Sequence, residues 1–582
     1  MTNQPCNYSS FMLFLTAFCC GGLVPPVQAA RPNVIVIMSD DQGGGDYGFL
    51  GNKVIRTPEL DAMFERSAML SRFYVSPVCA PTRASLMTGR YNYRTRCVDT
   101  YGGRAMMDTD EITIAEILRD AGYRTGIYGK WHLGDNYPLR PMDQGFQDCL
   151  VHRGGGIGQP SDPIGAEGKY TDPTLFKNGV ETPMKGYCTD IYFESAMKFI
   201  ASSVAEEKNF FTYIATNAPH GPFHDVPEEL YQEYLKVDFR PILLNKNIQP
   251  QRLKTETDKL ARIAAMITNI DENVGRLFKK LDALGVRENT IVVYLNDNGP
   301  NSMRYVGNMR GMKTHVDDGG IRSPLLFHWP AKVVSLKTTD VLCAHIDVLP
   351  TILDACDVPA SAGRVIDGRS FLPLLTSDST TWPTRQVVLQ THRGNVPQKF
   401  HHFSLHEEPW KLVHPSGFGK QSFSGPPQLQ LYNLIKDPRQ QNDVSSEHPE
   451  VFKRLKQSYE DWFVDVSSTR PDNYAPPRIV VGTVHEKRSV LTRQDLRRDG
   501  FWLLEARAPG AYEVELIFNA DHPAGKATVT AGSAKTQIDI AANKAGSHFT
   551  RMHLPSGKFK FSVNVVLDGK TRGPHQVILT RQ

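Results

Sequence analysis

Two acidic stretches in this sequence each end an apolar run: Asp40-Asp41 follows NVIVIM (33–38) and Asp297-Asn298 follows TIVVYL (290–295). Three carboxylates and an amide oxygen make a hard-oxygen donor set suited to Ca2+ or, in second place, Mg2+. Without a cation, clustered carboxylates would repel and raise one another's pKa. Zinc is disfavoured, since no nearby spacing supplies a Cys/His set. The second chemical candidate is Cys79. A lone cysteine is ordinarily a small buried hydrophobe, yet Cys79-Ala80-Pro81-Thr82-Arg83 stands where a helix reads as starting, in a turn shared with a proline and an arginine.

The elements that must position these groups read as α/β. Both apolar runs are continuous and β-branched, the pattern of strands buried on both faces of a parallel sheet. Residues 261–284 space Ile263, Met266, Ile267, Ile270, Val274, Leu277, Leu281 and Leu284 along one helix face, with Gly285 as the cap. Helix followed by strand is α/β grammar. Ligands in such sheets bind at the carboxyl ends of the strands, so both acidic stretches arrive at one edge. Residues 112–121 read as a short amphipathic helix stopped by Gly122, and a strand-like YRTGIYG then runs into Lys130-Trp131-His132. Residues 160–260, rich in Pro, Gly and polar side chains, read as loops and insertions around a substrate cleft. After about Pro476, alternating segments such as AYEVELIF and KFKFSVNVVL recur between turn residues, the pattern of an all-β, sandwich-like module.

Composition sets the frame. The 582 residues argue for more than one domain, and 66 Lys and Arg against 62 Asp and Glu leave a charge of +4. This excludes collagen-like, disordered and polytopic membrane classes and makes no case for a nucleic-acid partner. The charge is uneven: residues 478–582 hold 16 basic and 9 acidic side chains, +7, so the rest carries −3. Residues 11–24 are apolar but too short to span a bilayer. Small residues follow them, which fits a secretory signal over residues 1–30 cleaved near Ala29 or Ala30. Its n-region lacks Lys and Arg. Phe18 before Cys19 and Cys20 argues against lipid attachment there. The expectation is an exported protein, periplasmic or extracellular, with no integral membrane segment. Nine cysteines are too few for a disulfide scaffold. The six beyond residue 30 (Cys79, Cys97, Cys149, Cys188, Cys343, Cys356) could pair in an oxidising compartment, with connectivity open.

Cys79-x-Pro-Thr-Arg83 with Thr88-Gly89-Arg90 resembles the first signature of the type I, formylglycine-dependent sulfatases. Gly122-Tyr123-Arg124-Thr125 through Gly129-Lys130-Trp131-His132 resembles the second. The likeness extends to Asp40-Asp41-Gln42-Gly43, Ala218-Pro219-His220, Asp297-Asn298-Gly299, Gly311-Met312-Lys313, and Leu431-Tyr432-Asn433-Leu434 with Asp437-Pro438, and it covers residues 32–465. Thr82 stands where serine is commonest, and Asp317-Asp318-Gly319-Gly320 replaces a single acidic residue before two glycines.

The resemblance implies an alkaline-phosphatase-like fold. That is a mixed sheet flanked by helices (31–385), then a smaller C-terminal α+β subdomain (386–475), with the all-β module (476–582) beyond them. It also implies that a maturation enzyme oxidises Cys79 to Cα-formylglycine, whose hydrate is the nucleophile. One diol oxygen would attack sulfur, and deprotonation of the other would expel sulfate, a release that serine cannot perform. By motif position, Asp40, Asp41, Asp297 and Asn298 hold Ca2+ together with the group at Cys79. Arg83 holds the formylglycine, and Lys130 and Lys313 bind sulfate oxygens. His132 is the base for the second hydroxyl, and His220 is the acid for the leaving oxygen.

The substrate class expected is a sulfated carbohydrate or a smaller sulfate monoester. A formylglycine-dependent phosphonate monoester or phosphodiester hydrolase is the alternative, and a non-catalytic binder of sulfated polysaccharide is a third reading. His224, Tyr101, Arg104 and Arg304 lie near motifs and read either as leaving-group contacts or as surface polar residues. The basic tail module reads as packing on the catalytic domain or, alternatively, as an anionic-polysaccharide holder.

Overall fold

The two acidic apolar runs are hydrogen-bonded neighbours. In the computed structural model, which describes residues 1–2, 4, 31–244, 248–377, 381–394, 396–470, 474–542 and 546–582, strand Asn33–Ser39 pairs in parallel with Thr290–Asn296 along its whole length. The expected secretory signal, its cleavage site, and Cys6, Cys19 and Cys20 lie outside the described residues.

These strands are the centre of a mixed ten-stranded sheet. On one side of Asn33–Ser39 lie Phe210–Ala215, Arg124–Lys130 and Asp148–His152, all parallel to it. The antiparallel pair Thr174–Lys177 and Val180–Pro183 closes that edge. On the other side, Leu325–His328 runs antiparallel to Thr290–Asn296. The inner strands are apolar throughout because helices cover both faces. Val34, Val36 and Met38 enter one apolar cluster, whereas Ile35 and Ile37 pack against the long helix Pro250–Ala283 in another. Among the described residues, no helix is long and apolar enough to cross a membrane.

Residues 160–260 depart from the loop-and-insertion reading. They contain the 18-residue helix Cys188–Ala205 and the strand Phe210–Ala215, which pairs directly with Asn33–Ser39. The strand is a short aromatic run, FFTYIA, buried on both faces, so it shows no alternation to read. The expected helix at 261–284 begins earlier, at Pro250; its first turns are mostly polar, with Leu253 alone among residues 250–259 packing on the apolar cluster, so the apolar spacing does not mark them. The helix expected at 112–121 is Ile114–Asp120, capped by Thr113 and Glu116. Gly285 follows the long helix with φ +67°, as a left-handed terminator.

Beyond the main sheet, four antiparallel strands (Val387–Gln390, Phe403–Glu407, Trp410–His414, Gln430–Asn433) form a smaller sheet. Helix Pro449–Ser467 packs against the same apolar cluster. The C-terminal part has two further sheets of six and four strands, antiparallel except where Ile479–Val481 pairs with Trp502–Ala506. Their facing side chains, including Leu504, Phe561, Val514 and Val577, share one core, as a sandwich does. That core is continuous with the helix-covered face of the main sheet. The six described cysteines are buried free thiols.

Candidate active site

Each catalytic candidate is delivered by a strand end or a helix start. Asp40 and Asp41 follow strand Asn33–Ser39, and Asp297 follows Thr290–Asn296. Cross-strand bonds hold the two ends together: Asp297 N donates to Ser39 O (3.1 Å), and Asp41 N donates to the Asp297 carboxylate (3.2 Å). Asp41 takes φ +64°, a left-handed turn that aspartate tolerates better than most residues.

Cys79 is the first residue of helix Cys79–Thr88 and is 2% exposed. One ligand atom each from Asp40, Cys79 and Asp297 lies within 4.8 Å of the others, and the same holds for Asp40, Asp41 and His220. One helical turn on, Arg83 donates to Asp297 (2.8 Å) and to the carbonyl of Lys130 (3.0 Å). Strand Arg124–Lys130 brings Lys130 Nζ to 2.5 Å from Asp40, and Lys313 Nζ lies 2.6 Å from Asp41. Gly129, just before Lys130, has φ +118°, and a Cβ there would sit 1.8 Å from Ala215 O. No other residue fits where this strand crosses Phe210–Ala215.

Thr82 meets the demands of its position. Its hydroxyl accepts from Ser76 N (3.0 Å) and donates to Asp297 O (2.7 Å), so the hydroxyl is what the site uses. Asp318, in the doubled acidic segment, receives Lys411 Nζ (2.8 Å) and Tyr74 Oη (3.1 Å), tying the loop after Lys313 to the smaller sheet.

The electrostatics match a cation site. Burial, followed by the charge of Asp40, pushes the Asp297 carboxyl up to about 6. Burial alone would also raise Asp41, but Lys313 and then His220 hold it well below the usual carboxylate range. Burial pushes the Cys79 thiol up to about 12 despite Lys130 and Lys313. Two buried oxygens, Asp40 Oδ1 and Asn298 Oδ1, have no hydrogen-bond partner among the described residues. Unpartnered buried acceptors among carboxylates are what a hard divalent ion satisfies, so the donor set fits Ca2+.

The two histidines are set differently. His220 Nδ1 faces the Gly221 carbonyl (2.7 Å), leaving Nε2 3.7 Å from Asp41. Burial and the Lys313 charge push His220 down to about 4. His132 is buried with φ +62°, and burial, then Lys130 and Arg83, hold it well below the ordinary histidine range. Both face one glycine strip. A Cβ on Gly155 would stand 2.8 Å from His132 Nε2, and one on Gly156 3.1 Å from His220 Cε1.

All ten candidates therefore belong to one locality: Asp40, Asp41, Cys79, Arg83, Lys130, His132, His220, Asp297, Asn298 and Lys313. Motif reading passes over three contributors. Asn301 donates to Asp41 (3.0 Å), Gly155 abuts His132, and Gln494 lies 3.3 Å from His132 Nε2. The triple glycine at 154–156 was a visible signal; Gln494 stands in no pattern. Arg304 and Arg104 are buried rather than surface residues. Arg304 pairs with Asp46 (2.6 Å) and donates to Asp41 O (3.1 Å), and Arg104 donates to Tyr474 O (3.0 Å). Tyr101 and His224 are exposed.

The family model described as Sulfatase matches residues 32–358, a span containing every one of these ten residues. The chain belongs to the sulfatase family. A second model, N-sulphoglucosamine sulphohydrolase, C-terminal, matches residues 312–464 of this sulfatase. It is 27% identical over 379 residues to an N-acetylgalactosamine-6-sulfatase of Canis lupus familiaris (60% of this chain, 67% of the relative). It is also 27% identical over 514 residues to an N-acetylgalactosamine-6-O-sulfatase of Bacteroides thetaiotaomicron (74% and 93%). Among solved structures, Ps i-CgsB in complex with k-i-k-neocarrahexaose superposes with a TM-score of 0.63 at 25% identity, over 76% of this chain and 94% of that one.

Proposed function

We propose that this sulfatase is exported, to the periplasm or outside the cell, and hydrolyses sulfate monoesters of a sulfated carbohydrate through a hydrated formylglycine made from Cys79. The observation that carries this reading is the position of Cys79. It is buried at a helix start, in one 4.8 Å cluster with Asp40 and Asp297, and Arg83, Lys130 and Lys313 converge on those same carboxylates and Asp41. The carbohydrate class is supported by the relatives, whose names specify sulfated amino sugars, and by the neocarrahexaose complex.

Asp40, Asp41, Asp297 and Asn298, with the group at position 79, would hold Ca2+, which when bound supplies Lewis acidity towards sulfate oxygens. A formylglycine at position 79 would supply, as its hydrate, a nucleophilic oxygen for sulfur and a second hydroxyl on the same carbon for sulfate release. The chain's own side chains do the rest. Arg83 fixes the position of residue 79 and of Asp297. Lys130 and Lys313 donate to the sulfate oxygens as negative charge builds on them. His132, kept neutral by burial, would take the proton from the second hydroxyl, and His220, in its protonated form, would hand one to the departing sugar oxygen.

The deciding experiment is the mass of the Cys79 peptide from active enzyme, paired with desulfation of a panel of defined sulfated oligosaccharides. An aldehyde at residue 79 and release of sulfate from at least one glycan are expected. An unmodified thiol in fully active protein overturns the mechanism. A kcat/KM for phosphonate esters above that for every sulfate ester overturns the substrate class.

A further inference from the structure

The imidazole of His132 is held by two residues, Thr100 inside the family-matched span and Gln494 outside it. Its Nε2 lies 3.2 Å from the carbonyl oxygen of Thr100. The same oxygen accepts from the side-chain amide of Gln494, and the two donor nitrogens are 3.3 Å apart. A carbonyl oxygen only accepts, so His132 Nε2 carries the proton where it bonds Thr100 O and accepts where it bonds the Gln494 amide. The bond to Thr100 belongs to the Nε2–H tautomer. In that tautomer Nδ1, buried and without a hydrogen-bond partner among the described residues, is the proton-accepting nitrogen.

Gln494 holds the other side of this arrangement too. It is 2% exposed, and its own carbonyl receives the backbone N–H groups of Gly102 (2.8 Å) and Gly103 (3.3 Å). One residue thus grips the Thr100–Gly103 turn with both its side chain and its main chain. Gln494 follows strand Arg488–Thr492 of the C-terminal β-module, which is itself locked to the catalytic body. Asn136 and Val490 exchange two hydrogen bonds of 3.0 Å each, and Gln576 donates to Asp162 O (3.1 Å).

We infer that Gln494 is a positioning residue for His132, acting through the Thr100 carbonyl, so that the C-terminal β-module completes the catalytic unit. This rests on the reading of His132 as the base. Gln494 acts on His132 by holding the Thr100 carbonyl and its own amide against Nε2.

The test compares Gln494→Met and Gln494→Asn with the parent enzyme, in the full chain, on a chromogenic aryl sulfate. An outer partner of a catalytic imidazole is worth roughly 10–100-fold. The expected result is a kcat loss of that order with KM and melting temperature nearly unchanged. Placed in a His132→Ala background, Gln494→Asn should cost less than about two-fold further, since residues acting through one another are non-additive. Parental kcat in both single variants overturns the inference, as does an additive loss in the double variant; either result leaves the base assignment standing. Full turnover by His132→Ala overturns the base assignment, and this inference with it.

Discussion

At the scale of single residues, the site is a balance between clustered anions and the cations around them. Asp40 Oδ1 and Asn298 Oδ1 are buried acceptors that nothing among the described residues satisfies, and burial with Asp40 already raises Asp297 to about 6. A divalent cation that binds only the folded site adds RT ln(1 + [L]/Kd), about 2.7 kcal/mol at a hundred-fold excess over Kd. Calcium added to chelator-treated protein should therefore raise the melting temperature, and Asp297→Ala should abolish that shift. A parental shift in the variant would place the ion elsewhere. Gly155 makes a sharper steric prediction. A methyl group there would meet His132 Nε2 at 2.8 Å, and displacing a catalytic group by an ångström costs on the order of 100-fold. Gly155→Ala should lose kcat by about 10–100-fold with melting temperature unchanged, measured on the same aryl sulfate.

At the scale of elements, what was legible in the sequence was local. The strands ending in Asp40-Asp41 and Asp297-Asn298, and the Cys79–Arg83 turn, announce themselves because chemistry and secondary structure share a few consecutive residues. Strand Phe210–Ala215, just as central, stays hidden because full burial erases alternation, and the first turns of Pro250–Ala283 because they are mostly polar. Asn301, Gly155 and Gln494 join the site only through tertiary placement. Asp271 belongs to the same class. It stands on the long helix and accepts the N–H groups of Leu60 (2.7 Å) and Glu59 (3.2 Å), capping helix Pro58–Glu65 from a distance. Burial pushes its carboxyl up from 3.8 to about 7. A raised folded-state pKa means that the native state holds the proton more tightly. This group's contribution is therefore fully present below about pH 4 and is lost as pH rises towards 7. Asp271→Asn, which keeps an acceptor but cannot ionise, should flatten that part of the stability–pH curve between pH 4 and 7, as followed by urea unfolding. An unchanged slope would show the carboxyl to be ordinary.

At the scale of the whole molecule, three bodies of structure close around one sheet edge, and the joints between them carry buried charge. The family match ends at residue 358 for the main model and 464 for the second. The apolar core nevertheless runs on without a break from Val34 and Met38 to Leu504 and Val577, so the β-module shares its interior with the catalytic body. The smaller sheet makes its joint through Lys411, whose Nζ reaches Asp318 (2.8 Å) and Gln440 (2.7 Å) with both charged side chains essentially buried. Lys411 pulls the Asp318 carboxyl well below its usual range even though burial alone would raise it. Asp318 begins the short helix Asp318–Ile321, and the N–H of Gly319 within it donates to Arg310 O (2.7 Å), so this charge pair anchors the segment that carries Lys313. Removing one partner of such a pair leaves an uncompensated buried charge, at a cost of about 3–5 kcal/mol. Lys411→Met should lose stability by that amount in urea unfolding. Because Lys313 is one of the two lysines proposed to bind sulfate, the variant should also raise KM for the aryl sulfate at temperatures where it remains folded. Lys411→Met with Asp318→Asn removes both charges and should recover most of the lost stability, which separates a buried-charge penalty from simple loss of packing.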